Sequence, residues 1–436
     1  MPAFILTALS LILGYAAFAG GGVWPADWFP CLLALGVTAA VYWVAVRRID
    51  LAPPPGRLLR WLLAGIPLSI ALQVVPLPVW LVRVLSPARV ELQEAAAPVA
   101  GSSTWLTLSA APAATAGLLL TALGCVVMFL LVRELAWRWE GSPWLPVAPL
   151  VVIAVLEAVL GLVQAYSAGG DGIARGTFVN RNHYAGLLEM CAPFPLAGGL
   201  RVLLRNRSRH SSPLRPALLA CLLFATAALL LVAIVHSLSR MGFIAALFSL
   251  ALIGVVTWSA GRHPAWRWLP IPALLAAALA GFILLPTDAL IARFGDLAGV
   301  SELSADTRAA VWRDTGRLVA VYPLFGCGLG AYESVMARYN TAAPMNAVDF
   351  AHNDYLQLVA EGGVVCFLPL MAAVVIIVST ARRAAGRARV PASFVALGCL
   401  GSLTAILLHS GVDFSLHIPV NALIAAWVAG LAAAPE

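Results

Sequence analysis

Apolar stretches long enough to cross a bilayer recur along the whole chain, separated by short polar segments. A membrane-spanning helix needs about 20 consecutive, mostly apolar residues, and backbone that meets lipid must form its hydrogen bonds within a helix or a closed barrel. The pattern therefore predicts an all-α polytopic membrane protein with about twelve transmembrane helices. The predicted spans are 3–20, 27–46, 59–84, 113–133, 143–167, 183–203, 216–237, 241–260, 267–286, 355–380, 391–410 and 417–434.

The composition favours a membrane protein over a soluble one. The chain has 436 residues, of which 61% are hydrophobic and 11% are charged, and its mean hydropathy is +0.92. A soluble domain is about 45–50% apolar and about 25% charged. A water-exposed fold could not bury this much apolar surface, so lipid must cover it. We therefore expect one integral membrane domain over residues 1–436, with the lipid bilayer as a partner.

The basic residues predict the orientation of the chain. They gather in alternate turns, at Arg47 to Arg60, Arg133 and Arg138, Arg201 to Arg215, Arg262 and Arg267, and Arg382 to Arg389. Because cytoplasmic loops are enriched in Lys and Arg, we expect these turns and both termini on the cytoplasmic side of a bacterial inner membrane. The remaining turns, including a large loop over 287–354 with a helical segment, then face the periplasm.

Two classes of partner are not predicted. The basic residues are not interleaved with aromatic residues in the manner of a nucleic-acid interface, so we expect no nucleic acid. The seven cysteines show no CxxC or Cys/His ligand spacing, so we expect neither a disulfide nor a metal site.

The outward turn near residue 180 is dense in polar side chains. Within nine residues it offers two guanidinium groups, two amides and an imidazole, from Arg175, Asn180, Arg181, Asn182 and His183. Such a group can hold a phosphate or sugar hydroxyls. The alternative is a polar loop that its arginines anchor at the lipid headgroups.

Two further arginines stand in outward positions. Arg240 follows a turn with almost no loop, and a charge at the membrane boundary is usually paired or functional; the alternative is an arginine that snorkels to the surface. Arg308 lies in the first turn of an amphipathic stretch that Asp306 can cap and Pro323 ends. The glycines of the following Gly326-Cys-Gly-Leu-Gly segment are typical of an ordinary re-entry turn.

The segment that enters the tenth span carries a candidate base. His352 can accept a proton at neutral pH. Asn353, Gln357 and Glu361 are spaced by four residues, so they lie on one helical face, and polar groups there must point into protein or a wet cavity. The alternative is a helix-capping cluster.

Acidic residues near and inside the spans complete the candidates. Asp413, in the last outward turn, could orient a histidine or hold an arginine, or simply belong to a hydrated turn. Glu157 and Glu189 lie within predicted spans. We expect each of these two to pair with an arginine or to stay protonated.

Taken together, these groups indicate transfer of an activated group outside the cytoplasm. Nucleotide donors are cytoplasmic, so an outward site needs a pre-activated donor such as a lipid-linked diphosphate sugar. Two arginines could neutralise the diphosphate leaving group, and a histidine could take the proton of the attacking hydroxyl. No acidic DxD-type pair stands in these loops, which suits a site without metal.

The same residues resemble a known family. Ser239-Arg240-Met-Gly242, Arg308 with Trp312 and Pro323-Leu-Phe-Gly326, His352-Asn353-Asp-Tyr-Leu-Gln357 with Glu361-Gly-Gly363, and the upstream Gly176-Thr-Phe-Val-Asn180 are similar to the O-antigen ligase and O-antigen polymerase superfamily. The resemblance covers residues 170–420. It implies a GT-C-type fold, an undecaprenyl-diphosphate glycan donor, inversion at the anomeric carbon and no cofactor. By motif, the family's essential groups fall on Arg240, Arg308 and His352, with Arg175 and Arg181 as competitors of Arg240.

The resemblance leaves the acceptor open. A polymerase passes the glycan to a second lipid-linked repeat unit, which is the function that we expect, and a ligase passes it to lipid A-core. A polytopic transporter or flippase is the alternative from another class; it would place charges near the membrane midplane. A peptidoglycan polymerase would need an essential aspartate in its large outer loop, where Asp296, Asp306 and Asp349 stand.

Overall fold

The computed structural model describes seven segments of the chain. These are residues 1–46, 51–167, 172–205, 214–259, 305–341, 347–387 and 391–434. The ninth predicted span, 267–286, and the first part of the predicted large loop lie outside the described residues. The fold is described for the rest.

The described segments are built from helices. Before the large loop they are α1 (Pro2–Phe18), α2 (Pro25–Ala45), α3 (Arg57–Val74), α4 (Val79–Leu85), α5 (Pro87–Ala100), α6 (Pro112–Arg138), α7 (Ala148–Tyr166), α8 (Arg181–Cys191), α9 (Pro193–Arg205), α10 (Leu214–His236) and α11 (Arg240–Ser259). After it they are α12 (Ala305–Val321), α13 (Tyr332–Met336), α14 (Asp354–Gly386), α15 (Pro391–His409) and α16 (Pro419–Ala432). Short 3-10 turns cover Gly20–Gly22, Leu145–Val147 and Ser415–His417.

Nine helical segments among the described residues are long and apolar enough to cross a membrane, with α8 and α9 counted as one. The shorter apolar helices α1 and α16 accompany them. The prediction of an all-α polytopic membrane protein is therefore confirmed in this form, while the number twelve stays a prediction.

Helix α6 defines two opposite ends of the bundle. Near its start, Thr115 donates a hydrogen bond to the Leu329 carbonyl (2.6 Å). Near its other end, Arg133 donates to the Ala433 carbonyl (2.9 Å). We call the end that carries segments 172–183, 236–242, 350–361 and 409–419 the histidine end. The opposite end, with segments 51–57, 133–148 and 427–434, is the arginine end.

The helices differ in how far protein surrounds them. Within the segment Arg181–Leu204, formed by α8 and α9, 78% of the apolar window is buried, and the same fraction is buried in α15. In α3 and α14 only 22% is buried. The pairs α9 with α15, α11 with α15, and α14 with α15 are in contact. Helices α8, α9 and α15 therefore form the interior of the bundle, and polar groups on them must find partners within the protein.

The third predicted span, 59–84, is wrong in extent. Helix α3 ends at Val74, because Pro76 and Pro78 follow it and proline removes the backbone donor that a helix needs. The chain then forms a two-residue strand, Leu77–Pro78, which pairs antiparallel with Trp105–Leu106. This small ribbon is an exception to the all-α prediction.

Helix α14 is interrupted two turns after its start. Gly363 has a φ of 59° inside the helix, a conformation that favours glycine. A Cβ at Gly363 would collide with the Leu324 carbonyl, and one at Gly326 would collide with the Glu361 backbone. The segment 323–328 therefore packs directly against the interruption.

The same segment satisfies the backbone groups that the interruption leaves. Cys327 and Gly328 donate their N–H groups to the carbonyls of Ala360 (2.9 Å) and Glu361 (3.0 Å). In return, N–H groups just after Gly363 bond the carbonyls of residues 323 and 324. Irregular backbone at the depth of a membrane is tolerated only where protein meets its hydrogen-bonding needs. The glycine-rich turn thus braces α14, which is more than the re-entry turn that we expected.

The described part of the large loop packs onto the protein. Helix α12 begins at Ala305, so Asp306 lies within its first turn. The helix ends before Pro323, as predicted. Tyr322 is buried and its hydroxyl donates to the Ala88 carbonyl (3.3 Å). This side of the segment therefore faces the protein.

Candidate functional site

The polar turn near residue 180 is held by helix capping and by its neighbours. Asn180 caps α8, because its side-chain oxygen accepts the N–H of Asn182 (2.8 Å); this is the usual role of asparagine at a helix start. The backbone N–H of Ala174 donates to the His236 carbonyl (2.9 Å). Arg175 follows immediately, so it lies beside the turn that precedes Arg240. Arg175, Arg181 and Asn182 are partly buried at the histidine end.

The turn before Arg240 is strained and closely packed. Leu238 has a φ of 56°, which is uncommon for a residue with a side chain. The Ser239 hydroxyl accepts the N–H of Gly242 (3.3 Å) and so starts α11. A Cβ at Gly242 would lie 2.7 Å from the Cβ of Ala185. The first turns of α11 and α8 are therefore in direct contact, which places Arg240, exposed on α11, beside the helix that carries His183.

His352 lies in a left-handed backbone conformation. Its φ is 49°, and with Leu238 it is one of two non-glycine residues with positive φ in the described chain. Such strain costs on the order of 1–3 kcal/mol and persists only where neighbouring contacts enforce it. On one side, Ala351 accepts a bond from the Trp312 indole (2.9 Å). On the other, the Asn353 amide donates to the Gly411 carbonyl (2.8 Å).

The Trp312 contact also brings Arg308 to this place. Arg308 precedes Trp312 by four residues, so the two side chains share a face of α12. The Nε–H of Arg308 is buried, and among the described residues it has no hydrogen-bond partner. A buried donor of this kind is costly to leave unmet. It is therefore suited to an anionic ligand oxygen beside His352.

A stacked aromatic pair connects the histidines. Phe414 stacks on Phe350 with ring centroids 4.0 Å apart. The Phe414 ring also forms T-shaped contacts with His183 and His352, with ring centroids 4.7 Å and 5.1 Å apart. Phe414 therefore contacts both imidazoles. Sequence reasoning missed this residue, although it directly follows Asp413.

Asp413 lies between two buried imidazoles. Its carboxylate oxygens are 4.0 Å from Nε2 of His183 and 3.7 Å from Nε2 of His409, and one of them accepts the Phe414 N–H (2.8 Å). Burial alone would raise the pKa of Asp413, but His409, His183 and the Phe414 N–H outweigh burial and lower it. Asp413 is therefore an anion that faces two histidines, which is one of the roles expected for it.

The two acids inside the spans have partners other than arginine. Nδ1 of His409 lies 3.1 Å from both carboxylate oxygens of Glu189. Glu157 accepts bonds from the backbone and hydroxyl of Thr177. We expected each acid to pair with an arginine or to stay protonated. The contacts seen here are with an imidazole and a hydroxyl in place of an arginine, and protonation of the two acids stays a prediction.

Gln357 and Glu361 form hydrogen bonds with other groups of the protein. The side-chain oxygen of Gln357 accepts the Ala351 N–H (2.7 Å). Glu361 accepts the Tyr332 N–H (3.2 Å) and a bond from the Gln357 amide (3.3 Å). Asn353 caps α14 through the Leu356 N–H (3.0 Å). Substrate binding by these three side chains stays a prediction, and the contacts seen here hold the backbone around His352.

The predicted site residues therefore gather at the histidine end. Contacts connect the starts of α8, α11 and α14 with the turn between α15 and α16. These elements carry Arg181, Asn182 and His183; Arg240; Asn353, Gln357 and Glu361; and Asp413. Arg175, Arg308 and His352 lie in segments attached to them.

Comparison with known proteins gives a family match. A family model described as O-antigen ligase matches residues 225–371. The matched range contains Arg240, Arg308 and His352, whereas Asp413 and the turn near residue 180 lie outside it. No curated protein matches the chain. The family match confirms the resemblance found in the sequence over residues 225–371.

Proposed function

We propose that the protein is a glycosyltransferase that moves a glycan from undecaprenyl diphosphate to a second lipid-linked repeat unit at the periplasmic face of the inner membrane. The observation that carries the proposal is the family match, which supports O-antigen ligase or polymerase activity and spans Arg240, Arg308 and His352. The proposed orientation rests on the basic clusters in alternate turns, such as Arg133 and Arg138, which lie at the arginine end. The histidine end would then face the periplasm.

The proposed reaction is an inverting displacement that uses no metal. The acceptor hydroxyl attacks the anomeric carbon, a new C–O bond forms, and the bond from that carbon to the diphosphate oxygen breaks on the opposite face. His352 takes the hydroxyl proton as general base. The lipid diphosphate leaves as an anion.

Arginines would stabilise that leaving group. Arg308 is the best placed, because its buried Nε–H has no partner among the described residues. A guanidinium group can bind phosphate oxygens with paired hydrogen bonds, and positive charge aimed at a developing anion is a large term in catalysis. Arg240 would supply the second guanidinium group. Arg175 and Arg181, on the neighbouring turn, are the alternatives for this role.

The polar residues around His183 and Asp413 would complete the site. Asn182 and Arg181 in the first turn of α8 can reach sugar hydroxyls, while Asn180 orders that turn as its cap. His183 and Asp413 fix the turn that carries Phe414. Asn353, Gln357 and Glu361 hold the backbone of the proposed base.

Lipid A-core is the second candidate acceptor. The description of the matching family, O-antigen ligase, favours it. A ligase and a polymerase share the donor and the transfer chemistry, so the proposed roles of Arg308 and His352 are the same for both. The two functions differ only in the hydroxyl that is brought to the anomeric carbon.

Transfer in vitro tests the proposal. The purified protein is given a lipid-diphosphate repeat unit, first alone and then with lipid A-core, in buffer with and without EDTA. We expect longer lipid-linked glycans from the repeat unit alone and equal rates with EDTA. Transfer only to lipid A-core would establish the ligase. No transfer to either acceptor, together with movement of the intact lipid between leaflets of proteoliposomes, would favour a flippase instead.

A further inference from the structure

Asp354 joins the start of α14 to the turn between α15 and α16. Its backbone N–H lies 2.9 Å from the Ser410 carbonyl and 3.1 Å from the Asp413 carbonyl. Its carboxylate accepts bonds from the Ser410 hydroxyl (2.7 Å), the Leu416 N–H (3.1 Å) and Nδ1 of His417 (2.7 Å). One buried aspartate thus binds both sides of the turn between α15 and α16.

His417 forms an ion pair with Asp354 at this contact between α14 and the turn, which we call the Asp354 junction. Its Nε2 lies 3.9 Å from a carboxylate oxygen of Glu361, on the next turns of α14. Burial alone would lower the pKa of His417, but Asp354 and Glu361 outweigh burial and raise it to about 10. The imidazole is therefore a cation at neutral pH that connects two carboxylates of one helix face.

The Asp354 junction supports the backbone conformation of His352. Asp354 is two residues after His352, whose left-handed conformation needs support on both sides. Before His352, Ala351 is held by Trp312 and Gln357. After it, the hydrogen bonds of Asp354 provide the support. The clamped turn also carries Phe414, which touches the His352 ring.

We propose that Asp354 and His417 are positioning residues that hold the His352 imidazole in its reactive place, with His417 acting through Asp354. This inference rests on the proposed function, because it takes His352 to be the base. Neither side chain needs to touch the substrate. Their loss should therefore lower kcat and leave the KM for the lipid-diphosphate donor nearly unchanged.

Two substitutions of His417 separate the two ends of its ring. Asparagine places an amide donor near the position of Nδ1, facing Asp354, whereas glutamine places one near Nε2, facing Glu361. We expect His417→Asn to keep kcat within about threefold of wild type and His417→Gln to lower it by tenfold or more. Equal kcat values for the two variants would overturn the proposal.

A double substitution tests whether the two residues act as one unit. We expect Asp354→Asn to lower kcat at least tenfold, and the addition of His417→Gln to lower it by less than a further twofold. Multiplicative effects, or a rise in KM without a fall in kcat, would contradict a shared positioning role.

Asp314→Asn is the matched control. Asp314 is also a fully buried acid of the loop region, bound by Arg317 and Thr341. It should keep the wild-type kcat, with folding of every variant checked by gel filtration and thermal melting. If His352→Ala abolishes transfer while the His417 variants match wild type, only the positioning role fails. If wild-type protein transfers no glycan, the proposed function fails first.

Discussion

The two ends of the bundle use charged residues in different ways. At the arginine end, Arg133 is buried and donates to the carbonyls of Ala433 (2.9 Å) and Pro53 (2.6 Å). At the histidine end, Nε of Arg308 and Nε2 of His183 are buried without a hydrogen-bond partner in the described chain. Buried polar groups are normally satisfied. Trp144 Nε1 at the arginine end also lacks a hydrogen-bond partner in the described chain, so an unmet group alone does not mark a site. At the histidine end the unmet groups accompany the left-handed backbone of Leu238 and His352.

In a second cluster at the arginine end, charged side chains again bind protein groups. The Tyr42 hydroxyl donates to Glu134 (2.8 Å) and accepts from Arg138 (2.6 Å). The other oxygen of Glu134 accepts the Ala52 N–H (2.8 Å). These bonds connect α2, α6 and the chain before α3. Charge in these clusters serves the fold, whereas the histidine end, with its strained backbone and unmet polar groups, is where we propose the chemistry.

Arg308→Ala should lose most of its transfer activity. Removing a group that stabilises the leaving diphosphate should lower kcat by about 10²–10³. The variant should melt within about 2 °C of wild type, because its Nε makes no hydrogen bond to the described protein. The exposed Arg313, on the same helix, is the control, and Arg313→Ala should leave kcat unchanged. A similar loss of kcat from both variants would show that transfer does not depend on the buried Nε of Arg308.

Next in size is the effect of Gly363→Ala on folding. The added Cβ meets the Leu324 carbonyl and the positive φ disfavours alanine, so we expect more than about 3 kcal/mol of destabilisation. Gly386→Ala, at the open end of the same helix, should be tolerated, since nothing lies within 4 Å of its Cβ position. Thermal melting in detergent would compare the two. Wild-type stability of Gly363→Ala would disprove the bracing of α14.

Arg133→Ala tests the arginine end. It would leave two carbonyls without their donor, so we expect a loss of about 2–3 kcal/mol of stability. Folded protein should transfer glycan at the wild-type rate. Retained stability with lost transfer would reverse the assignment of the two ends.

The smallest effect concerns pH. The folded pKa of His417 is raised to about 10 from an ordinary value near 6.5, so its stabilising contribution is complete below about pH 6.5 and is lost as the pH rises through 10. Melting temperature should therefore decline between pH 7 and pH 10 by more in wild type than in His417→Asn. Parallel pH curves for the two proteins would show that His417 is not a stabilising cation.

The sequence predicted the membrane helices because apolar length is a local pattern. The residues that it named for the site lie together at the histidine end, and their roles stay predictions. Apolar length places the helices, and motifs place Arg240, Arg308 and His352. The extent of the third span was missed, since hydropathy continues through Pro76 and Pro78 where the helix cannot. These two prolines were the sequence feature that could have predicted the end of the helix.

Other features needed the folded chain. The Glu189–His409 pair joins residues 220 positions apart, and nothing local to either residue indicates the other. The same is true of segment 323–328 against Gly363. The left-handed backbone of His352 is also invisible in the sequence, because contacts from distant segments enforce it.

Transfer by His352→Ala, measured beside wild type with a lipid-diphosphate repeat unit, tests the central claim most directly. The account predicts that wild type forms the extended glycan and that the variant, folded equally well, is slower by about 10²–10⁴, the usual contribution of a general base. A variant that transfers the glycan at the wild-type rate would contradict the claim that the histidine end performs glycan transfer through His352.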